Sequence, residues 1–219
     1  MSTTTTTLEP FTLSAPPGTD IWRKPPSHNT FNAPTNPSPL PTFALETFQR
    51  AKLTFALPPA DKLRQYDQAG LLLHLTKPLN QDKWIKTGIE FYAGNPYIAT
   101  VGCDAWADWS LVPMPESTNN SNGSQPGATI EARREKDGLG RSLWIYWIVR
   151  DGSGKEVERR PLREVTWVFA EEEGWRVGVG GYVCRPTTEG GEDERLEVEF
   201  GEGVEIEILD KGNGDGEKK

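Results

Sequence analysis

The strongest constraint on the fold is a two-residue alternation of side chains over positions 84–92, inside the stretch QDKWIKTGIEFYAGNPYIATVGCDAWADWS (81–110). Successive side chains of a strand point to opposite faces of the sheet. One face would suit a core and consists of Ile85, Thr87, Ile89 and Phe91. The other face would be polar and aromatic and consists of Trp84, Lys86, Gly88, Glu90 and Tyr92. This pattern predicts a β-strand with one face in the core.

Other short segments rich in β-branched and aromatic residues are separated by clusters of turn residues, which is typical of strands. The 22 glycines and 18 prolines favour many strands joined by tight turns over a helical bundle. No long segment outside the loops has a 3.6-residue period. We therefore predict an all-β, antiparallel β-sandwich with little helix. The predicted strands are residues 53–57, 69–76, 83–93, 96–102, 141–150, 164–170, 174–184, 195–201 and 204–209.

The chain is predicted to form one domain, because all-β sandwiches of roughly 200 residues commonly share one core. Residues 1–41, here called the N-terminal segment, are rich in Pro and Thr and are expected to be partly irregular. Residues 42–209 form the predicted sandwich, with a long loop at 113–127. Residues 210–219 are predicted to be a disordered acidic tail.

Charge and hydropathy exclude several classes of partner. Residues 186–219 contain twelve acidic and four basic residues, which accounts for the net charge of -8 and leaves the rest of the chain neutral. Without a basic patch, no nucleic acid is expected as partner. No apolar run approaches the roughly 18 residues of a membrane span, and the N-terminus lacks signal-peptide features. We expect a cytoplasmic protein in which Cys103 and Cys184 are buried thiols.

The polar and aromatic face of residues 84–92 is a candidate ligand-binding surface. His74, on the preceding strand, would project onto the same face as Trp84 if the two strands pair. Aromatic rings stack on the apolar faces of sugars, and charged groups bind hydroxyls. The alternative is that the same residues only stabilise the sheet through cross-strand contacts.

Three motifs, YDQAGLLL (66–73), WIKTGIEF (84–91) and ADWS (107–110), resemble those of a family that includes the fungal "regulation of enolase" proteins. PGTDIWRKPP (17–26) is similar to the N-terminal part of the fungal members. The family is assigned to the concanavalin A-like lectin/glucanase superfamily, so the resemblance implies a jelly roll, but it implies no established reaction. The positions matching the family pattern are Tyr66, Asp67, Gln68, Gly70, Trp84, Lys86, Gly88, Glu90, Asp108, Trp109 and Ser110.

From these observations we expect a carbohydrate- or small-metabolite-binding protein, with a regulatory role in carbon metabolism left open. A second hypothesis is a regulator that binds a glycolytic enzyme or another protein and has no small-molecule site. A third is a glycan-active enzyme, resembling a glycoside hydrolase or lyase, that uses Glu90 with Asp104 or Asp108. The candidate ligand-binding residues are His74, Trp84, Lys86, Glu90, Tyr92, Asp108, Trp109 and Ser110.

Catalytic and metal sites are less well supported than ligand binding. The E-x-D-x-x-E motif of the glucanase branch is absent, and its nearest counterpart, Glu205-x-Glu207-x-x-Asp210, is predicted to be the solvated face of a final strand. No cofactor is expected. Asp104 and Asp108 are candidate Ca²⁺ ligands because hard cations prefer carboxylate oxygens, although Asp108, like Asp67, is equally suited to a structural role at a turn.

Overall fold

A computed structural model describes residues 2–115, 125–189 and 194–210 of the chain. About 61% of the described residues are in strands and 3% in helices, the latter in two single turns at Leu45–Thr47 and Ala60–Lys62. Residues 116–124 of the predicted loop and 211–219 of the predicted tail lie outside the described residues. The strands are β1 Thr3–Leu8, β2 Phe11–Ala15, β3 Ile21–Lys24, β4 His28–Phe31, β5 Thr35–Asn36, β6 Thr42–Ala44, β7 Phe48–Ala56, β8 Gln68–Thr76, β9 Lys83–Tyr92, β10 Asn95–Cys103, β11 Ala107–Pro113, β12 Gly127–Lys136, β13 Arg141–Arg150, β14 Glu156–Val165, β15 Arg176–Cys184, β16 Leu196–Phe200 and β17 Val204–Leu209.

Two antiparallel sheets form a sandwich, as predicted. The eight-stranded sheet has the order β1-β17-β7-β12-β13-β14, with β16 joining β7 to β2. The seven-stranded sheet has the order β11-β10-β9-β8-β15-β5, with β6 also pairing with β15. A separate hairpin consists of β3 and β4. No helix among the described residues has the length and apolar character needed to cross a membrane.

The main hydrophobic core lies between the two sheets. Ile85 and Ile89 of β9 are fully buried there, against residues such as Ile130 and Ile145 of the eight-stranded sheet. This placement confirms the predicted core face of residues 84–92. A second, smaller apolar cluster lies on the opposite face of the seven-stranded sheet, where Trp84 packs with Ile21 of the N-terminal segment.

The N-terminal segment is more ordered than its composition suggested. Its threonine run forms β1, which pairs with β17 at the edge of the eight-stranded sheet, and β2 pairs with β16. Threonine is β-branched and suits a strand even where the side chains are exposed, so no apolar alternation marks β1. The segment predicted to be partly irregular thus supplies two strands to the eight-stranded sheet.

Eight of the nine predicted strands overlap observed ones, whereas β11, β12 and all but the last two residues of β14 were not predicted, and one predicted strand is wrong. Residues 164–170 were predicted to be a strand, but β14 ends at Val165 and the chain then turns. Val168 and Phe169 of this turn are buried in the core, which explains why the segment is apolar. Cys103 and Cys184 are free and buried, as expected.

Candidate ligand-binding site

The candidate site lies on the face of the seven-stranded sheet that points away from the main core. On this face β9 presents Trp84, Lys86, Gly88 and Glu90, in agreement with the predicted alternation. The N-terminal segment crosses over the same face between β2 and β5 and covers part of it. Where the cover is incomplete, a pocket remains between the segment and the sheet.

The pocket has a volume of about 240 Å³ and combines aromatic walls with charged groups. Trp22 and Trp109 meet edge to face, with ring centroids 6.4 Å apart, and they form an aromatic corner. The residues that line the pocket are Asp20, Trp22, Tyr66, Gln68, Lys86, Glu90, Trp109 and Pro186. They come from five places in the chain, so the site depends on the complete fold.

Lys86 lies at the base of the pocket, with only 2% of its surface exposed. Its Nζ is 3.3 Å from Oδ1 of Asp20, and it lies 5.9 Å from the ring centroids of both Trp22 and Trp84. A buried ammonium group needs such compensation because desolvation strongly disfavours an unpaired charge. Asp20 of the N-terminal segment thus neutralises the positive charge of Lys86 on β9.

Glu90 is the second buried charged group, with 5% of its surface exposed. Trp109 donates a hydrogen bond from Nε1 to Oε2 of Glu90 over 3.1 Å. Burial raises the pKa of the Glu90 carboxyl to about 7, while Lys86 and the Trp109 hydrogen bond oppose this shift and Asp20 adds to it. Glu90 therefore changes charge near neutral pH, which is unusual for a carboxyl group.

Several polar atoms of the pocket have unused hydrogen-bonding capacity. Within the described residues, Oε1 of Glu90 and Oδ2 of Asp20 accept no hydrogen bond, and Nζ of Lys86 makes one contact although it has three donors. Acceptors and donors therefore face the same small volume beside aromatic rings. This combination is typical of sites that bind small polar molecules.

Of the eight predicted ligand-binding residues, the structure brings three into the pocket: Lys86, Glu90 and Trp109. Tyr92 flanks it, with its ring 5.4 Å from that of Trp109 and 5.8 Å from that of Tyr66. Trp84 lies on the predicted face but is fully buried beneath the N-terminal segment, so it supports the pocket from below.

Asp108 and Ser110 do not face the pocket. Side chains alternate along β11, so when Trp109 points into the pocket its two neighbours point to the other face. There Arg163 of β14 binds the Asp108 carboxylate and its carbonyl oxygen, and lies 3.4 Å from Oγ of Ser110. The structure therefore places both residues outside this pocket.

His74 shares the face with Trp84, its direct partner across β8 and β9, but lies at the far end of the sheet. Its Nε2 is 2.8 Å from Oδ2 of Asp82, and its ring stacks on Phe31 with centroids 4.6 Å apart. Arg23 binds the other carboxylate oxygen of Asp82 at 2.7 Å. His74 therefore helps to hold the β3–β4 hairpin on the sheet, outside the pocket.

The remaining carboxylates proposed from the sequence have structural partners. Asp104 is 2.6 Å from Nζ of Lys83, so the two candidate calcium ligands, Asp104 and Asp108, each have a cationic partner of their own. No group of three or more metal-ligating side chains occurs among the described residues. In the sequence resembling a glucanase motif, Glu205 and Glu207 bind Arg50, and Asp210 accepts a hydrogen bond from Thr4. Asp67 is also structural, because Arg185 binds both of its oxygens in the interior.

Sequence reasoning missed Asp20 and Trp22 as site residues. Both belong to the motif PGTDIWRKPP, whose similarity to the fungal family was a usable signal, but the surrounding prolines suggested irregular chain. Tyr66 and Gln68 were noted only as positions of the family pattern. Tyr66 has a φ of 68°, a left-handed conformation that few residues other than glycine adopt, and Nε2 of Gln68 donates to its carbonyl oxygen over 3.3 Å.

Comparison with known proteins places this chain in a family. The DUF1349 family, described as proteins of unknown function, matches residues 2–202. This protein belongs to the DUF1349 family. The uncharacterized protein AN7484 of Emericella nidulans is 45% identical to the DUF1349 protein over 200 residues, which cover 91% of this chain and 87% of the relative.

Two solved structures are similar to the DUF1349 protein. A functionally unknown protein from Saccharomyces cerevisiae superposes with a TM-score of 0.56 at 16% identity, covering 96% of this chain and 97% of the other, so the two proteins share a fold. Basic winged bean lectin is more distant, with a TM-score of 0.47 at 13% identity over 96% of this chain and 100% of the lectin. The DUF1349 protein is an antiparallel β-sandwich by its own strand order.

Proposed function

We propose that this protein binds a carbohydrate or a similar small polar metabolite in the pocket between the N-terminal segment and the seven-stranded sheet. The observation that carries the proposal is the unused donor and acceptor capacity of Lys86, Glu90 and Asp20 next to the rings of Trp22 and Trp109. A sugar ring has apolar C–H faces for the aromatic walls and hydroxyls for the polar atoms.

The volume of the pocket limits the size of the ligand. Pockets for drug-sized molecules have roughly 300 to 1,000 Å³, and this one has about 240 Å³. It suits one sugar ring or a metabolite of similar size, with any longer chain extending into solvent. A monosaccharide or the end of an oligosaccharide is therefore the expected ligand.

Two other functions remain as weaker proposals. A role as an interaction partner of a glycolytic enzyme rests on the resemblance to "regulation of enolase" proteins alone. An enzymatic role would use Glu90 as a general acid with Asp20, the other carboxylate that lines the pocket, instead of Asp104 or Asp108. Asp20 is held by Lys86 and by the backbone N–H of Ile21, which suits binding better than proton transfer.

A thermal-shift screen tests the proposal. The purified protein is heated with monosaccharides, oligosaccharides and sugar phosphates, because a ligand at 100 times its Kd stabilises the native state by about 2.7 kcal/mol. Trp22→Ala should abolish the shift, since it removes one aromatic wall outside the main core. Trp144→Ala is the matched control, because Trp144 is a half-buried tryptophan of the other sheet that stacks on Tyr146.

The outcome separates the three functions. A shift lost in Trp22→Ala and kept in Trp144→Ala supports the pocket. If no compound shifts the melting temperature at millimolar concentration, the binding proposal is wrong and a search for a protein partner follows. Release of a reducing sugar from an oligosaccharide that binds would favour the enzymatic role, provided that Glu90→Gln abolishes the release.

A further inference from the structure

The charges around the pocket do not balance. Its lining contains two carboxyl groups, from Asp20 and Glu90, and one ammonium group, from Lys86. Lys86 pairs with Asp20 over 3.3 Å, whereas Glu90 forms no ion pair with any described residue and receives a single hydrogen bond, from Trp109. When Glu90 is ionised, the pocket lacks one positive charge.

The aromatic walls are also suited to a cation. The ammonium group of Lys86 already lies 5.9 Å from the ring centroid of Trp22, within the range of cation–π attraction. The rings of Trp22 and Trp109 border the space in front of Glu90. A second cation in this space would face aromatic rings and a carboxylate oxygen that has no other partner.

We infer that the pocket selects a hydroxylated ligand with one protonated amine, of the amino-sugar class, over the corresponding neutral or anionic sugar. This inference rests on the proposed function, because it names the chemical class of ligand for the same pocket. The amine would pair with Oε1 of Glu90, while the hydroxyls bind Lys86 and Asp20. A phosphorylated sugar would instead bring negative charge next to two carboxyl groups that have one cation between them.

Binding of a cationic ligand would be coupled to release of the proton from the Glu90 carboxyl group. Because the pKa of Glu90 in the free protein is about 7, the group is mostly protonated at pH 6, and a bound cation would favour its ionised form. Binding at pH 6 should then release close to one proton, and the affinity should rise by up to about tenfold per pH unit toward pH 7 and level off above it. Other titratable groups near Glu90 are Lys86 on its own strand, Asp20 on the N-terminal segment, Tyr97 across β10, and Tyr182 and Cys184 on β15.

The two neighbours on β15 are not sources of this proton. Burial raises the pKa of both Tyr182 and Cys184 well above their ordinary values, so both stay neutral at pH 6. Lys86 and Asp20 are paired with each other over 3.3 Å. The released proton would therefore come from Glu90.

Titration calorimetry with four probes tests the inference: glucose, 6-amino-6-deoxyglucose, 2-amino-2-deoxyglucose and glucose 6-phosphate. The probes share one ring and differ in charge, and each is measured at pH 6 in two buffers of different ionisation enthalpy, which gives the number of protons released. We expect at least one amino sugar to bind at least tenfold more tightly than glucose and to release close to one proton. Glucose should release none, and the phosphate should bind most weakly.

Glu90→Gln provides the second arm, because glutamine keeps the shape and the acceptor for Trp109 but cannot be ionised. In this variant the advantage of the amino sugar over glucose and the proton release should both disappear. If glucose binds at least as well as both amines, the inference is wrong and the proposed function stands. If no probe binds and no other sugar does so in the thermal-shift screen, both fail. Proton release is measured on the natural protein, so the inference remains testable even if Glu90→Gln does not fold.

Discussion

Oδ1 of Asp20 lies 3.3 Å from Nζ of Lys86, although the two residues are 66 positions apart in the chain. The contact joins the N-terminal segment to the middle of β9. Because Lys86 is almost fully buried, the segment is needed to neutralise it as well as to wall the pocket. The binding site therefore forms only when the N-terminal segment is attached to the seven-stranded sheet.

The first prediction concerns the group that anchors the β3–β4 hairpin. Arg23 is 2% exposed, and its guanidinium donates to the carboxylate and the carbonyl oxygen of Asp82 and to Oδ1 of Asn29. Burial alone would raise the pKa of Asp82, but hydrogen bonds from His74 and Arg23 together lower it, so the carboxylate is ionised at neutral pH. Arg23→Met should weaken the attachment of the hairpin by about 2 kcal/mol, because it removes hydrogen bonds to a charged group.

Hydrogen exchange measures this effect locally. In Arg23→Met the amides of β3 should exchange faster, whereas those of β7 and β12 should be unchanged. Ligand affinity should fall although Arg23 does not line the pocket. Lys24→Met is the matched control, since Lys24 is exposed on the same strand. Equal exchange in both variants would show that the Arg23 contacts do not hold the hairpin.

The second prediction is a pH-dependent stability difference between the natural protein and Glu90→Gln. The pKa of Glu90 is about 7 in the folded state, against an ordinary value of 4.5 that applies when the chain is unfolded. Between these values the folded state binds the proton and the unfolded state does not, so this group reduces the free energy of unfolding as the pH rises from 4.5 to 7. The full loss is about 3 kcal/mol.

Urea unfolding at pH 5 and pH 8 tests whether ionisation of Glu90 lowers the free energy of unfolding. Glu90→Gln resembles the protonated form, so it should be more stable than the natural protein at pH 8, by up to about 3 kcal/mol, and the gain should be far smaller at pH 5. Comparison with the natural protein at each pH cancels the titration of other groups. A variant that loses stability equally at both pH values would contradict the raised pKa.

The alternation in β9 predicted the face on which Lys86 and Glu90 lie, since periodicity is a local property of the chain, and the many short strand-like segments together predicted the sandwich. The sequence could not show whether Asp108 or Trp109 faces the pocket, because residues 107–113 were not predicted to be a strand and the placement of β11 depends on its pairing with β10. Asp20 was missed for a different reason. Its role depends on a charge 66 residues away, and the prolines around it suggested irregular chain even though the segment packs tightly on the sheet.

The third prediction concerns the buried ion pair between Asp67 and Arg185. Asp67 is fully buried and Arg185 is 3% exposed, and the guanidinium donates to both carboxylate oxygens, at 3.1 and 2.7 Å. The pair fixes the turn that positions Tyr66 and Gln68 at the pocket. Arg185→Met should reduce the free energy of unfolding by about 3 to 5 kcal/mol, because it leaves a buried carboxylate without a cation.

Urea unfolding at pH 7 measures the effect, with Arg160→Met as control. Arg160 pairs with Glu158 at the surface, where an ion pair contributes roughly 0 to 1 kcal/mol. The double variant Asp67→Asn, Arg185→Met should recover part of the loss, because no charge is then buried. A loss in Arg185→Met no larger than in the control would mean that water or another group compensates Asp67.

The last prediction concerns Gly88, which lies between Lys86 and Glu90 on β9 and directly opposite Gly70 on β8. A Cβ atom at Gly88 would be 2.0 Å from the carbonyl oxygen of Ala69 and 2.7 Å from Cα of Gly70, so the two backbones approach too closely for any side chain. Gly88→Ala should force the strands apart and cost about 1 to 3 kcal/mol or more of stability. It should also weaken ligand binding, because Lys86 and Glu90 are its neighbours on the pocket face.

Gly138→Ala is the matched control, since no atom lies within 4 Å of a Cβ built there and its φ is not in the left-handed region. Urea unfolding gives the stability of both variants, and calorimetry with the tightest ligand gives the affinity. Binding should fall in Gly88→Ala at temperatures where the protein is still folded. Unchanged affinity together with reduced stability would mean that the spacing of Lys86 and Glu90 does not depend on the close approach of β8 and β9.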